Sequence, residues 1–176
     1  MKITAFGASI SQNSINSVLA GYAANLVAGA EVEVIDLNCF DLPLFSVDTE
    51  ATLGKPAAAI EFLKKIEAAD ALVASFAEHN CSFTAAYKNL FDWASRINRD
   101  VYQHKPAVFL ATSPGPRGGA NVLEVAKKFA PRFGGNVRGS LSIPSFYENF
   151  DLEKGRLTDD ALSEELQGVM NRLLDQ

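Results

Sequence analysis

Apolar runs alternate with amphipathic segments along the whole chain, and this alternation constrains the fold more than any other sequence feature. The apolar runs are short, bounded by turn residues and strand-like: Ile3 to Phe6, Val32 to Ile35, Ala71 to Phe76, Ala107 to Ala111 and Val137 to Ile143. After each run, apolar side chains recur at helical spacing. Strands that are apolar throughout and alternate with helices are typical of a parallel sheet covered on both faces. The pattern therefore predicts an α/β fold, a doubly wound five-stranded parallel sheet with helices on both faces.

The amphipathic segments predict five helices, of which the first has its apolar face on Ile15, Val18, Leu19, Tyr22 and Leu26. The others are predicted around residues 59–66, 86–97, 122–133 and 162–173. The longest irregular pieces are Leu37 to Lys55 and Pro144 to Leu157. Since no repeat or low-complexity linker interrupts the 176 residues, we predict a single domain over residues 1–176.

Charge and cysteine usage exclude several classes of partner. Lys and Arg number 16 against 21 Asp and Glu, and no basic run offers a stripe for a nucleic acid backbone. No apolar stretch approaches the roughly 20 residues of a membrane span, and Met1 leads directly into a strand, so we expect a cytoplasmic protein with neither nucleic acid nor membrane as partner. Cys39 and Cys81 lack the spacing of a zinc site or a disulfide framework. We expect both to be buried, inert thiols and predict no metal site.

The serine-rich loop, which runs from Gly7 to Asn16, follows the first predicted strand and enters the first predicted helix. A helix start offers free backbone N–H groups, and the hydroxyls of Ser9, Ser11 and Ser14 complete a cradle for a phosphate. The loop has no Lys or Arg, which favours a phosphate monoester held by neutral donors. The structural alternative is that Ser and Asn side chains only cap the helix. A GxSxG nucleophile elbow is disfavoured because the last Gly is missing and no partnered acid and His follow in order.

Two further segments follow the third and fourth predicted strands, at the same edge of the sheet. The first begins Ala77-Glu78-His79-Asn80-Cys81-Ser82 and continues to Asp92-Trp93. The second is the glycine-rich loop, Ser113-Pro114-Gly115-Pro116-Arg117-Gly118-Gly119, whose residues permit tight turns and a close approach to a planar ligand. Arg117 is its only cation and is equally consistent with a contact to a nucleotide phosphate and with a place in solvent.

These three segments resemble, in order and at matching spacing, the NAD(P)H-dependent FMN reductase family of flavodoxin-like proteins. The serine-rich loop is similar to a GSxxxxSxN motif, and the second segment is similar to PEYNxSxxxxLKNxxDW. The resemblance implies a flavodoxin-like fold and an FMN site. The implied cofactor-binding residues around the FMN phosphate are Ser9, Ser11, Ser14, Ile15 and Asn16. Those implied along the isoalloxazine ring of FMN are Glu78, His79, Asn80, Ser113, Gly115 and Gly118.

The resemblance also implies an activity, in which FMN takes a hydride from NADPH or NADH and passes electrons to a small-molecule acceptor such as a flavin or quinone. Because the flavin carries this chemistry, no catalytic side chain is predicted. Two alternatives are a non-enzymatic FMN-binding electron carrier and a domain that has lost its flavin. Relatives of the family are commonly homodimers or homotetramers, and Tyr87 and Phe91, which lie partly off the apolar stripe of their helix, are expected at a subunit interface.

Overall fold

A computed structural model describes residues 1–175 and contains one central parallel sheet. Its strands are β1 (Lys2–Gly7), β2 (Glu31–Val34), β3 (Ala71–Phe76), β4 (Pro106–Thr112) and β5 (Asn136–Ile143). They pair in the order β2-β1-β3-β4-β5. All five predicted strands are present, with ends that differ by at most one residue.

Helices cover both faces of the sheet, and the five longest bury an apolar stripe against it. They are α1 (Ile15–Asn25), α2 (Val47–Leu53), α3 (Ala57–Glu67), α4 (Ala85–Ile97), α5 (Ala120–Phe129), α6 (Phe146–Asn149) and α7 (Asp160–Asn171). One core, with Ile3 and Ala5 from β1, lies under α1 and α7. The other, with Phe6 from β1, lies under α3, α4 and α5, because successive strand residues point to opposite faces. The strand order and the two helical layers confirm the predicted flavodoxin-like fold.

Both pieces of chain that were predicted to be irregular contain regular structure. The first holds α2, which buries no residue, begins at the cap Ser46 and ends at Gly54. The second holds α6 and a hairpin of β6 (Phe150–Asp151) and β7 (Arg156–Leu157). Elements this short, or without a buried face, carry no hydrophobic period that a sequence pattern could reveal.

Two burial predictions were wrong. Cys39 and Cys81 are exposed, because one ends a surface 3-10 turn and the other lies in a tight turn after β3. Tyr87 and Phe91 are buried, so they do not provide the predicted interface. The hydroxyl of Tyr87 lies 2.9 Å from that of Tyr102, and burial raises the pKa of both phenols. Tyr87 and Phe91 lie at helical spacing with Leu90 and Ala94, and Tyr87 packs against Phe6 of β1 and Phe76 of β3, so this side of α4 faces the sheet.

The carboxyl ends of β1, β3 and β4 lie side by side, so the segments that follow them meet at one edge of the sheet. Helices α1, α4 and α5 all begin at this edge. Within residues 1–175, no helix is long and apolar enough to cross a membrane. Nor does that part of the chain group three His, Cys, Asp or Glu side chains around a common metal position.

Candidate functional site

An open cleft of about 240 Å³ lies at the carboxyl edge of the sheet, where the serine-rich and glycine-rich loops meet. Its lining residues are Ser9, Ser11, Asn13, Ser14, Ile15, Asn16, Ala77, Glu78, His79, Thr112, Ser113, Pro114 and Tyr147. The lining contains hydroxyls, amides and two rings but neither Lys nor Arg. Its only carboxylate is that of Glu78.

The first turn of α1 faces this cleft. Ser14 caps the helix, and its Oγ accepts a hydrogen bond from the backbone N–H of Ser17 at 3.2 Å. Gly7 allows the end of β1 to approach the helix, since a Cβ there would lie 2.4 Å from the Ser17 nitrogen. Among the described residues, the backbone N–H groups of Ile15 and Asn16 have no acceptor. These donors and the positive end of the helix dipole are available to an anion in the cleft.

The other two helices that begin at this edge do not offer a comparable site. Helix α4 is capped by Thr84, whose Oγ1 accepts from the N–H of Tyr87, and its first turn lies outside the cleft lining. At α5, the carboxylate of Glu78 accepts from the N–H of Val122 at 2.9 Å and from the Asn121 side chain at 3.3 Å. Glu78 therefore already places a negative charge at the start of α5. Of the three helix starts, that of α1 is the one left open toward the cleft.

Asn16 connects α1 to the two central strands through buried hydrogen bonds. Its Oδ1 accepts from the Ser75 hydroxyl at 2.7 Å and from the Thr112 N–H at 3.1 Å. Its Nδ2 donates to the Thr112 carbonyl at 3.1 Å. Both polar ends of the side chain are thus occupied within the protein, and Asn16 offers a ligand only its backbone. Its side chain positions the helix start against β3 and β4.

His79 lines the cleft and begins a tight turn, the histidine turn, which runs from His79 to Ser82. His79 and Ser82 exchange two backbone hydrogen bonds, 3.0 and 3.1 Å long, which close a two-residue hairpin. Asn80 and Cys81, the central residues, have φ of +51° and +63°, as a type I′ turn requires. Asn tolerates this conformation, whereas Cys adopts it at a cost that Gly would avoid. The turn leaves the His79 ring exposed beside the cleft.

The glycine-rich loop also lines the cleft and is attached to the chain after β5. Gly118 has φ of +56°, and a Cβ there would lie 2.7 Å from the Ile143 backbone, so this glycine is needed for packing on the end of β5. The carbonyls of Ser113 and Gly115 accept hydrogen bonds from the backbone of Phe146 and Ser145, at 3.0 and 2.9 Å. Two backbone hydrogen bonds therefore join the glycine-rich loop to the start of α6.

The structure brings most of the predicted cofactor-binding residues into the cleft: Ser9, Ser11, Ser14, Ile15, Asn16, Glu78, His79 and Ser113. Asn80, Gly115 and Gly118 lie outside its lining and shape the loops behind it. Five lining residues were not predicted: Asn13, Ala77 and Pro114 lie within the three segments, and Thr112 and Tyr147 lie outside them. Thr112 belongs to an apolar strand, and Tyr147 lies in a segment without a recognisable motif, so neither carried a sequence signal.

The fold and the cleft define a flavodoxin-like protein with free backbone N–H groups in a cleft at the carboxyl edge of its sheet. Comparison with known proteins specifies the class further: residues 1–147 match the model of the family described as NADPH-dependent FMN reductase. The chain belongs to this family.

Individual relatives agree with that assignment over almost the whole chain. An NAD(P)H-dependent FMN reductase of Pseudomonas aeruginosa is 33% identical, with 98% of this chain and 93% of the relative covered. An NADPH:quinone oxidoreductase of Arabidopsis thaliana is 29% identical over 97% of this chain and 88% of its own length. Among solved structures, the flavoenzyme NAD(P)H:(acceptor) oxidoreductase FerB of Paracoccus denitrificans superposes with a TM-score of 0.81 at 26% identity, covering 99% and 95% of the two chains.

Family membership confirms the predicted family and the prediction of an FMN-dependent oxidoreductase that uses NAD(P)H. The alternative of a non-enzymatic electron carrier is not favoured, since the relatives described above are named as enzymes.

Proposed function

We propose that this protein binds FMN in the cleft and passes electrons from NADPH or NADH to a quinone, a flavin or a similar small acceptor. The observation that carries the proposal is the start of α1, whose free N–H groups face a cleft with neither Lys nor Arg in its lining. Such a site suits one terminal phosphate held by neutral donors.

The side chains around α1 fit a phosphate monoester. Ser14 uses its oxygen as an acceptor for the cap, and its hydroxyl hydrogen remains free to donate. Ser11 is exposed at the cleft, while the buried Ser9 oxygen accepts from the Ser11 N–H at 3.1 Å and so shapes the loop. Together with the N–H groups of Ile15 and Asn16, these hydroxyls would hold the phosphate.

The two walls of the cleft are suited to a planar ring. Ala77, Glu78 and His79 line the cleft from the segment after β3, and Ser113 and Pro114 line it from the glycine-rich loop. When bound, FMN supplies the redox chemistry, taking a hydride from the nicotinamide and giving the electrons to the acceptor. The protein's residues bind and orient both partners, so we assign no side chain as a general acid or base. Asn80, Gly115 and Gly118 would contribute by fixing the shape of the two walls.

The cofactor and its reduction test this proposal directly. The purified protein is expected to show the visible absorbance of oxidised flavin, to lose it when NADPH is added, and to release FMN on extraction. FMN is expected because the lining has no Lys or Arg to balance a pyrophosphate. Chromatography of the extract separates FMN from FAD. Recovery of mainly FAD would reject the phosphate assignment, and a protein that neither takes up added FMN nor oxidises NADPH would reject the function.

We infer that the protein is a homo-oligomer, a dimer or a tetramer, that associates through apolar side chains beside the serine-rich loop. Leu44, Val47 and Ile10 are 78%, 74% and 53% exposed. The segment that carries Leu44 is held firmly, because Asn89 accepts from the N–H of Phe45 at 2.8 Å and the Trp93 indole donates to Pro43. Fixed, exposed apolar side chains of this kind favour a protein interface.

Leu44→Asp is expected to shift the assembly toward monomers, because it places a charge among the apolar side chains of the proposed interface. Sedimentation velocity measures the change. Leu152→Asp is the matched control, since Leu152 is also exposed, at 55%, but lies in the hairpin after α6. Equal sedimentation of the Leu44→Asp variant and the native protein would place the interface elsewhere.

Location and domain structure stay predictions. A cytoplasmic location is supported by the use of NAD(P)H, which cells hold inside, and by two exposed free cysteines, which suit a reducing compartment. The assignment of residues 1–176 to one domain is supported by the central sheet, which draws its strands from residues 2–143 and is covered by helices as far as Asn171.

A further inference from the structure

Tyr147 is the only Tyr, Phe or Trp among the residues that line the cleft, and its side chain remains 61% exposed. It reaches the cleft from the chain after β5, whereas the other lining residues come from β1, β3 and β4 and the segments that follow them. An exposed aromatic side chain makes little contribution to a core, so core packing does not account for it.

The backbone beside Tyr147 is held in place by several contacts, although Tyr147 itself is a surface residue. Its neighbour Phe146 is fully buried and stacks on Phe150, with ring centroids 4.9 Å apart. The backbone of Ser145 and Phe146 donates to the glycine-rich loop, and Ser145 has φ of +43°. A non-glycine residue in this conformation is strained, and such strain persists only where the surroundings impose it. The backbone is thus constrained at the place where the Tyr147 ring is presented to the cleft.

Tyr147 and the proposed phosphate site lie at different depths in the cleft. The phosphate donors surround Ser14, which is 9% exposed, and Asn16, which is 3% exposed. Tyr147 instead lies at the mouth, where a molecule that enters and leaves at each turnover would pass. An aromatic ring stabilises a planar aromatic or quinonoid molecule by stacking or edge contact at about 4.5–7 Å between ring centres.

We infer that Tyr147 is a specificity-determining residue, whose ring forms a wall of the binding site for a planar aromatic or quinonoid electron acceptor. This inference rests on the proposed function. Tyr147 would favour flat acceptors, which stack on its ring, over small acceptors that take electrons without stacking. The ring, and not the hydroxyl, is the group that carries the effect.

Binding can be measured without turnover, because oxidised FMN does not transfer electrons to an oxidised quinone. In the FMN-loaded protein, 1,4-naphthoquinone is titrated against the visible absorbance of the flavin. Tyr147→Ala is expected to raise the Kd of the naphthoquinone about tenfold, a loss of about 1.4 kcal/mol. Tyr147→Phe, which keeps the ring, is expected to stay within about twofold. In turnover, the KM for the quinone should follow the same order, and the KM for ferricyanide, which does not stack, should not change.

Two measurements separate this inference from the proposed function. Titration of FMN into each apo-protein, followed by flavin fluorescence, should give the same affinity for the native protein, Tyr147→Ala and the control Leu152→Ala. Absence of FMN binding by the native protein would overturn both proposals. FMN binding and NADPH oxidation by the native protein, with an unchanged naphthoquinone Kd in Tyr147→Ala, would overturn only the role of Tyr147. A tenfold loss of FMN affinity in Tyr147→Ala would also overturn it, since the residue would then belong to the cofactor site.

Discussion

Ser14→Asp is expected to weaken FMN binding a hundredfold or more while the apo-protein stays folded. A carboxylate at this position would lie roughly 4 Å from a phosphate held at the start of α1. At an effective dielectric constant near 20, each pair of unit charges at that distance repels by about 4 kcal/mol. A hundredfold loss of affinity corresponds to about 2.8 kcal/mol, which is about two thirds of the repulsion from one such pair.

The stability of the Ser14→Asp protein should change little, because Asp replaces Ser well at a helix N-cap. Ser14 has the extended backbone of a cap, with φ of −66° and ψ of 111°, and its oxygen accepts from the Ser17 N–H. An Asp oxygen can accept the same bond, and its charge interacts favourably with the helix dipole. The substitution therefore separates anion binding from helix capping at one position.

Fluorescence titration of apo-protein with FMN and a thermal melt without FMN measure the two effects. Ser46→Asp is the matched control, since Ser46 caps α2 in the same way, accepting from the N–H of Thr49 at 3.0 Å, outside the cleft lining. It adds the same charge and should leave FMN affinity unchanged. An unaltered FMN affinity in Ser14→Asp would remove the start of α1 from the site and with it the main structural support for the proposed function.

The sequence could predict which three segments meet at the site, because each follows a strand whose carboxyl end lies at the same edge of the sheet, but it could predict contacts only within a segment. In the serine-rich loop, the strand end, the polar residues and the helix start are consecutive, so their proximity follows from the backbone alone. The roles of Glu78 and Asn16 depend on contacts with Val122 and Thr112, which lie 44 and 96 residues away in the chain. A pattern along the sequence contains no information about such pairs. For this reason the sequence predicted Glu78 as a ring neighbour, and its position at the start of α5 became visible only in the structure.

Prediction of the fold from the sequence is limited in the same way. The five strands and the helices that pack on them were predictable because each buries a continuous or periodic set of apolar residues. Helix α2 buries no residue and was therefore missed. Tyr87 was assigned to an interface because the apolar stripe of α4 was placed on Leu90 and Trp93, whereas Tyr87 packs against Phe6 and Phe76 of the central sheet. Several apolar side chains surround this helix, so its helical period alone did not decide which of them face the sheet.

Asn16→Asp is expected to lower the free energy of unfolding of the apo-protein by about 3 kcal/mol at pH 7.5. The change exchanges the Nδ2 donor for an oxygen that faces the Thr112 carbonyl, originally 3.1 Å from Nδ2, at a side chain that is 3% exposed. When protonated, the new carboxyl group can donate to that carbonyl and still accept from Ser75 and the Thr112 N–H. Burial and the facing carbonyl therefore raise the pKa of the introduced carboxyl in the folded state.

The raised pKa of the introduced carboxyl determines how the stability of the Asn16→Asp protein changes with pH. Below the unfolded-state value of about 3.9, both states hold the proton and the penalty is smallest. As the pH rises through that value toward the raised folded-state pKa, the unfolded state releases its proton first, so stability relative to the native protein falls. Urea unfolding of both apo-proteins at pH 5 and 7.5 measures the difference.

Asn25→Asp is the control on the same helix. The Asn25 amide is exposed and donates to the Gly21 carbonyl at 2.7 Å, so its loss should cost less than about 1 kcal/mol and vary little with pH. If Asn16→Asp and Asn25→Asp cost the same at both pH values, the buried bonds of Asn16 do not hold α1 against the sheet.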